Sequence, residues 1–139
     1  ISQINKLDQF ILKRQEIAKK YDLGLKKLSN YLEPLKQKYT SAHHIYVIKL
    51  KLENLKWSRD KIFEALHKEG IGVNVHYMPI HLQPYYINNH NTYEGMMPIA
   101  EKVYKQILTL PIFPEITDKD IEDVIKALDK ITSSININL

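Results

Sequence analysis

The sequence predicts an α+β fold in which helices pack on a small sheet. Near both ends of the chain, apolar residues recur at three- and four-residue steps, which is the period of amphipathic helices. Between these two regions, residues 44–50 are rich in β-branched and aromatic side chains, as in a strand. The 139 residues, of which 44% are hydrophobic and 26% charged, suit a single globular domain with its own core.

The composition excludes several classes of protein. There is no cysteine, so disulfides, thiolate catalysis and zinc–cysteine sites are excluded. No apolar run approaches the roughly 18 residues of a membrane-spanning helix, and no signal-peptide pattern is visible. We therefore expect a cytoplasmic protein with no membrane partner.

The net charge of +4 and the pI near 9.1 raise the question of a nucleic-acid partner. The arginines, which base and phosphate recognition favours, are only Arg14 and Arg59. The lysines stand beside acidic residues on predicted helix faces, which is typical of a solvated surface. We expect no nucleic-acid partner, and a free-standing nucleic-acid-binding protein stays an alternative that salt-dependent binding would reveal.

The first helix is predicted to run from Ser2 to Tyr31 and to be closed by Pro34. Its apolar stripe consists of Ile4, Leu7, Ile11, Ala18, Tyr21, Leu25 and Leu28. Gly24 weakens the prediction for the second half, since glycine disfavours helix by about 1 kcal/mol relative to alanine. Because the stripe starts at Ile1 without a cap, the chain is predicted to be a piece of a longer protein.

The middle of the chain predicts a helix and a second strand. Ser58 is a good N-cap for the helix, and Gly70 is its stop signal. The second strand is predicted over Gly72–His76, because Val73 and Val75 alternate with polar residues.

The next connection, residues 78–97, is long for a compact domain, and such loops are usually functional or mobile. Residues 88–91 are predicted to be its flexible tip. Pro98 begins a third predicted helix that reaches Ile107, and a short strand is predicted at 108–110.

Thr117 is predicted to cap the last helix, with Asp120 as its capping-box partner. The apolar face of this helix consists of Ile121, Val124, Ile125, Leu128 and Ile131. The tail from Ser133 onward is expected to be frayed.

The stretch from Gly72 to Tyr86 carries the candidate chemistry. It contains His76, Tyr77, His81, Tyr85 and Tyr86, and two prolines stiffen it. We interpret it as a segment that presents polar side chains to a ligand, with Tyr85 and Tyr86 as packing. Two structural alternatives stay open: all three tyrosines pack the loop onto the sheet, and His76 is a core histidine bonded to a backbone carbonyl.

The sequence does not contain the residue patterns that metal binding, nucleophilic catalysis or phosphate binding would require. A metal site at His76 and His81 would need further ligands, and no acidic residue follows until Glu94. No serine sits in a glycine elbow, and no acid is obviously paired with either histidine. The four glycines form no phosphate-binding cluster. We therefore expect no metal and no catalytic residue in this chain.

Four stretches carry a resemblance to a known family: Gly70-Ile-Gly-Val-Asn-Val-His-Tyr-Met-Pro-Ile-His81, Pro84-Tyr85, Pro98-Ile-Ala-Glu101 and Leu108-Thr-Leu-Pro-Ile-Phe-Pro114. They resemble the carboxyl-terminal portion of the DegT/StrS-type sugar-nucleotide aminotransferases. Residues 3–21 resemble the long helix that joins the two domains of those enzymes. The resemblance extends to about Ile131 and is greatest to the aminotransferases of pseudaminic acid synthesis.

The resemblance implies the small domain of a pyridoxal-phosphate enzyme of the aspartate-aminotransferase fold (fold type I), with a mostly antiparallel sheet. It implies an interdomain helix over 1–34, the small α/β domain over 35–132 and a tail over 133–139. The full-length enzyme would be a cytoplasmic homodimer that holds pyridoxal phosphate on a Schiff-base lysine. That lysine would lie in the other domain, so the chain alone is expected to bind no cofactor and to be inactive.

The substrates implied by the resemblance are a UDP-linked 4-keto sugar and an amino donor such as glutamate. His76 and Tyr77 would form a wall of the substrate site, with His81 close behind. A non-catalytic binding module of the same fold stays an alternative.

Overall fold

A computed structural model describes residues 2, 4–36 and 38–137. The helices are α1 (Leu7–Gly24), α2 (Arg59–Lys68), α3 (Pro84–His90), α4 (Pro98–Tyr104) and α5 (Asp118–Ser134). The strands are β1 (Leu32–Pro34), β2 (Tyr46–Leu50) and β3 (Ile107–Leu110). Short 3-10 turns lie at Ile4–Lys6, Leu25–Leu28, Leu52–Asn54 and Ile80–Leu82.

The strands form one antiparallel sheet in the order β1-β2-β3. Leu32 pairs with Leu50 at one edge, and Tyr46 pairs with Leu110 at the other. Alternate residues of β2 are buried, while all four residues of β3 are buried. Helix α5 packs against α1 and α2, and α2 also contacts β3. The predicted α+β fold, with helices on a small antiparallel sheet, is confirmed.

Helix α5 forms as its sequence predicts. Thr117 Oγ1 accepts a hydrogen bond from the Asp120 backbone N–H, and Asp120 Oδ2 accepts one from the Thr117 N–H, which completes the capping box. The apolar face enters the core at Ile121, Val124, Leu128 and Ile131. Local capping and helical periodicity therefore agree with the packing at this helix.

The first helix ends earlier than predicted. The α-helix stops at Gly24, a 3-10 turn follows, and the chain then enters β1, whose last residue is Pro34. Leu25 and Leu28 are still buried, so the apolar stripe correctly marks core residues beyond the α-helix. Strand pairing with β2 determines the conformation after the turn. Pro34 is compatible with this strand because β1 lies at the sheet edge.

Gly24 allows α1 and α5 to approach closely. A Cβ atom placed on Gly24 would clash with Cδ1 of Ile125 on α5. Gly24 therefore leaves room for the Ile125 side chain, which would have to shift if residue 24 had a Cβ atom.

The predicted strand at Gly72–His76 is wrong as a regular strand. The segment is extended and makes a single isolated bridge, in which Asn74 pairs with Thr109 of β3. The Asn74 N–H donates to the Thr109 carbonyl at 3.0 Å, and the Asn74 carbonyl accepts from the Thr109 N–H at 2.7 Å. The next amide, that of Val75, donates to the Asn74 side chain at 2.7 Å instead of extending the ladder.

Two further expectations differ from the structure. Residues 88–90 lie within α3 rather than at a flexible tip, and Asn91 ends that helix in the left-handed region, with φ 53°. The tail from Ser133 is not frayed as far as the structure describes it. Ile135 is buried, and its carbonyl accepts from the Lys56 N–H at 2.7 Å, because the apolar face of α5 continues past the helix end.

Arg14 joins three parts of the domain. Its Nη1 donates to the carbonyls of His43 and His44, just before β2, and to the carbonyl of Ile112, just after β3, at 3.1–3.3 Å. The residue that interrupts the apolar stripe of α1 therefore collects carbonyl groups beyond the ends of two strands. In the part of the chain that the structure describes, no helix is both long and apolar enough to cross a membrane.

Candidate functional site

The candidate site begins where the chain leaves the edge of β3. His76 lies two residues beyond the Asn74–Thr109 bridge, and its Nδ1 is hydrogen-bonded to Thr109 Oγ1 at 3.0 Å. Thr109 is buried in β3, so this contact joins the imidazole to the rigid sheet. His76 is half-buried and bonds to a side-chain hydroxyl, which differs from the alternative of a core histidine on a backbone carbonyl.

Tyr77 forms the outer part of the site. Its side chain is 70% exposed, and its ring meets that of His76 edge to face with 4.6 Å between centroids. The peptide bond between the two residues is cis. Tyr77 therefore does not pack the loop onto the sheet. We call His76 and Tyr77 the His–Tyr wall.

His81 follows Tyr77 by four residues and is buried. It is 8% exposed, and its Nε2 is 2.8 Å from Oε1 of Glu101 on α4. Its own carbonyl accepts a hydrogen bond from Thr92 Oγ1 at 2.7 Å. Both its ring and its backbone are therefore engaged within the protein.

Glu101 is a buried carboxylate that collects backbone N–H groups. The Gly95 N–H lies 2.8 and 2.9 Å from its two oxygens, and the Met97 N–H lies 3.2 Å from Oε1. The hydrogen bond to His81, followed by those backbone bonds, holds the pKa of this carboxyl below its ordinary value, and burial opposes the shift. The ionised carboxylate accepts, so His81 Nε2 is the donor. We call Glu101 with His81, Gly95 and Met97 the Glu101 clamp.

The sequence interpretation missed this clamp. It found no acid paired with either histidine, whereas Glu101 pairs with His81 from twenty residues further along the chain. Glu101 belongs to the Pro98–Glu101 stretch that carries the family resemblance, and it lies at the start of a helix. An acidic side chain in the first turn of a helix interacts favourably with the unpaired N–H groups there, and this signal could have pointed to Glu101.

Tyr85 and Tyr86 are not packing residues of the core. Both are exposed on α3, where their rings contact each other and His90 at 5.4–5.6 Å between centroids. The short helix that carries them stands where the sequence predicted an open loop.

The His–Tyr wall is a partly exposed edge of this chain and does not line the cleft that the structure describes. A cleft of about 700 Å³ lies elsewhere, between α1 and the start of β2, and its lining includes none of the three predicted site residues. Within residues 2, 4–36 and 38–137, no three His, Cys, Asp or Glu side chains are grouped to hold a metal ion. Imidazole and phenol groups on a rigid edge suit hydrogen bonding to a polar ligand.

Helices packed on a three-stranded antiparallel sheet define an α+β domain. Residues 1–129 match the sequence pattern of the DegT/DnrJ/EryC1/StrS aminotransferase family. The chain belongs to this family, which confirms the resemblance found in the sequence.

The chain is similar to one part of several longer proteins. It is 37% identical over 134 residues to the uncharacterized protein MJ1066 of Methanocaldococcus jannaschii, covering 96% of this chain and 35% of that protein. The structure of Helicobacter pylori PseC, an aminotransferase involved in the biosynthesis of pseudoaminic acid, matches with a TM-score of 0.87 and 29% identity over 96% of this chain and 36% of that one.

A third similar protein is Spr1654 of Streptococcus pneumoniae, a proposed sugar aminotransferase, in its PLP form. The TM-score is 0.82 and the identity 25%, over 96% of this chain and 34% of that one. The chain thus spans about a third of the length of these proteins. The predicted type I aminotransferase fold is confirmed by these similarities.

Proposed function

We propose that this chain supplies one substrate-binding wall of a pyridoxal-phosphate-dependent sugar-nucleotide aminotransferase. The substrate of the intact enzyme is a UDP-linked 4-keto deoxy sugar, the amino donor is an amino acid such as glutamate, and the enzyme works as a homodimer. Membership of the aminotransferase family and the likeness to PseC support this reaction class. The observation that carries the proposal is the His–Tyr wall.

The geometry of His76 suits substrate binding. Thr109 holds Nδ1, and within the described part of the chain Nε2 has no hydrogen-bond partner. Tyr77 adds a phenol that is exposed beside this ring. A sugar hydroxyl or a diphosphate oxygen can therefore bond to Nε2 and to the phenol without breaking an internal contact. Such a fixed pair holds the sugar in position, which is a gain in orientation.

Within this chain alone, every described lysine is exposed or half-exposed, so none lies in the desolvated setting that activates a Schiff-base amine. We propose that the cofactor lysine lies in another part of the intact enzyme, and the chain alone is expected to be inactive. No catalytic step is assigned to this chain.

The test is His76→Ala in the intact protein, assayed with UDP-linked 4-keto sugars. We expect kcat/KM for the sugar nucleotide to fall about tenfold, as for the loss of a hydrogen bond worth roughly 1–2 kcal/mol, while cofactor absorbance stays unchanged. His44→Ala is the matched control, because His44 is exposed and lies outside the His–Tyr wall. Unchanged kinetics in the His76 variant would overturn the assignment of the wall.

A further inference from the structure

The Glu101 clamp connects two segments that are distant in the chain. His81 belongs to the turn that follows the His–Tyr wall, while Gly95 and Met97 belong to the loop before α4. All three groups converge on one carboxylate that is 6% exposed. Thr92 adds a fourth connection, since its hydroxyl donates to the His81 carbonyl at 2.7 Å.

The buried charge of Glu101 makes the relative position of the two segments specific. A buried carboxylate is stable only where donors surround it, so moving either segment away leaves an uncompensated charge. The donors come from both segments, and the carboxylate therefore favours one relative position of the two. A neutral apolar contact would tolerate sliding, because the hydrophobic effect is not directional.

The wall is mechanically close to the clamp. Tyr77 precedes His81 by four residues, and Pro79 between them restricts the backbone. On the other side, His76 is anchored to Thr109 of the sheet. The exposed Tyr77 thus lies on a short segment held at one end by β3 and at the other by Glu101.

We propose that Glu101 is a positioning residue for substrate binding, which acts through His81 and the 92–97 loop to set the orientation of the His–Tyr wall. The inference rests on the proposed function, because it concerns the same wall. Glu101 is 6% exposed, so its effect on binding comes from fixing the segment that carries the wall.

The first measurement needs no turnover. Hydrogen–deuterium exchange of the intact protein, read by mass spectrometry on peptides covering 76–82 and 92–97, compares the unaltered protein with Glu101→Gln. The glutamine keeps the size but removes the charge, and with its oxygen at the Oε1 position its amide NH2 takes the place of Oε2 and faces the Gly95 N–H, donor against donor. We expect faster exchange in these two peptides and unchanged exchange in α5. Unchanged exchange at 76–82 and 92–97 would overturn the clamp.

The second measurement separates positioning from loss of stability. In Glu101→Gln we expect the KM for the sugar nucleotide to rise about fivefold, while the KM for the amino donor stays within about twofold. An equal change in both constants, or no change in either, would overturn the positioning role. Glu94→Gln is the control, and it should alter neither constant. It removes an exposed carboxylate of the same loop, whose one ion-pair partner among the described residues is Lys105.

Thr92→Val serves if Glu101→Gln fails to fold. It removes the hydroxyl that bonds to the His81 carbonyl and leaves the hydrogen bond between His81 and Glu101 in place. We expect the KM for the sugar nucleotide to rise about twofold in this variant, while the KM for the amino donor does not change. If the unaltered intact protein turns over no sugar nucleotide, the proposed function fails and the positioning role fails with it. The exchange result would still stand, so the two failures are distinguishable.

Discussion

The helix–sheet core and the segment 76–97 are built in different ways. In the core, apolar side chains from α1, α5 and the sheet pack together, and many are fully buried. In the segment, large apolar side chains are mostly exposed: Tyr77, Met78, Ile80, Tyr85, Tyr86, Ile87, Tyr93, Met96 and Met97. Many redundant contacts therefore hold the core, whereas a few polar contacts hold the segment.

Each region contains one charged residue that collects backbone groups. Arg14 donates hydrogen bonds to three carbonyls near the ends of strands, and apolar packing already holds these strands in place. Glu101 accepts hydrogen bonds from the N–H groups of a loop that has little apolar packing of its own. The comparison indicates that burial determines the stability of the domain, whereas a few hydrogen bonds determine the shape of the candidate site.

The largest effect is expected from a cavity in the core. Leu128 of α5 is fully buried, and Leu128→Ala should lower the free energy of unfolding by about 3 kcal/mol, since it loses apolar burial and leaves a void. Leu23→Ala is the control, because Leu23 on α1 is mostly exposed, and its change should stay below about 0.5 kcal/mol. Urea denaturation measures both. Similar losses for the two variants would contradict the division between core and surface.

A smaller effect is expected in acid, where the Glu101 clamp titrates. The pKa of Glu101 is lower in the folded protein than its ordinary value of 4.5, so its contribution to stability is complete above that pH and is lost as the pH falls through the folded pKa. Asp120 and Asp129 also have lowered pKa values, because Thr117 and Lys27 bond to them. Both remain in Glu101→Gln, so their contributions cancel in the difference between the two proteins.

The measurement is urea denaturation of both proteins between pH 7 and pH 3. The difference in stability between the unaltered protein and Glu101→Gln should narrow as the pH falls below about 4.5. A gap that stays constant down to pH 3 would mean that the carboxyl does not have a lowered pKa.

The smallest effect is expected where the core touches the site. Thr109→Val keeps the shape of the β3 side chain but removes the hydroxyl that holds His76 Nδ1. The loss of one hydrogen bond, roughly 0.5–1.5 kcal/mol, should raise the KM for the sugar nucleotide about two- to tenfold without changing cofactor absorbance. Thr132→Val is the control, since its buried hydroxyl bonds only within α5. An equal rise in KM for both variants would contradict a specific role for Thr109.

Sequence patterns predicted the parts of the fold that depend on local chemistry. The cap at Thr117 and the face of α5 follow from residues that are neighbours in the chain. The end of α1 did not follow from periodicity. There the stripe persists through Leu25 and Leu28, but a 3-10 turn carries those residues into the core and strand pairing takes over.

The sequence by itself determined the α+β class, the family and the stretch that carries the candidate site. Only the tertiary structure decided how that stretch is held. His76 meets Thr109 and His81 meets Glu101 across 33 and 20 residues of chain. Periodicity and capping rules act over a few residues, so they do not encode such pairings. The partners of a buried polar group depend on which distant segments the packed core brings together.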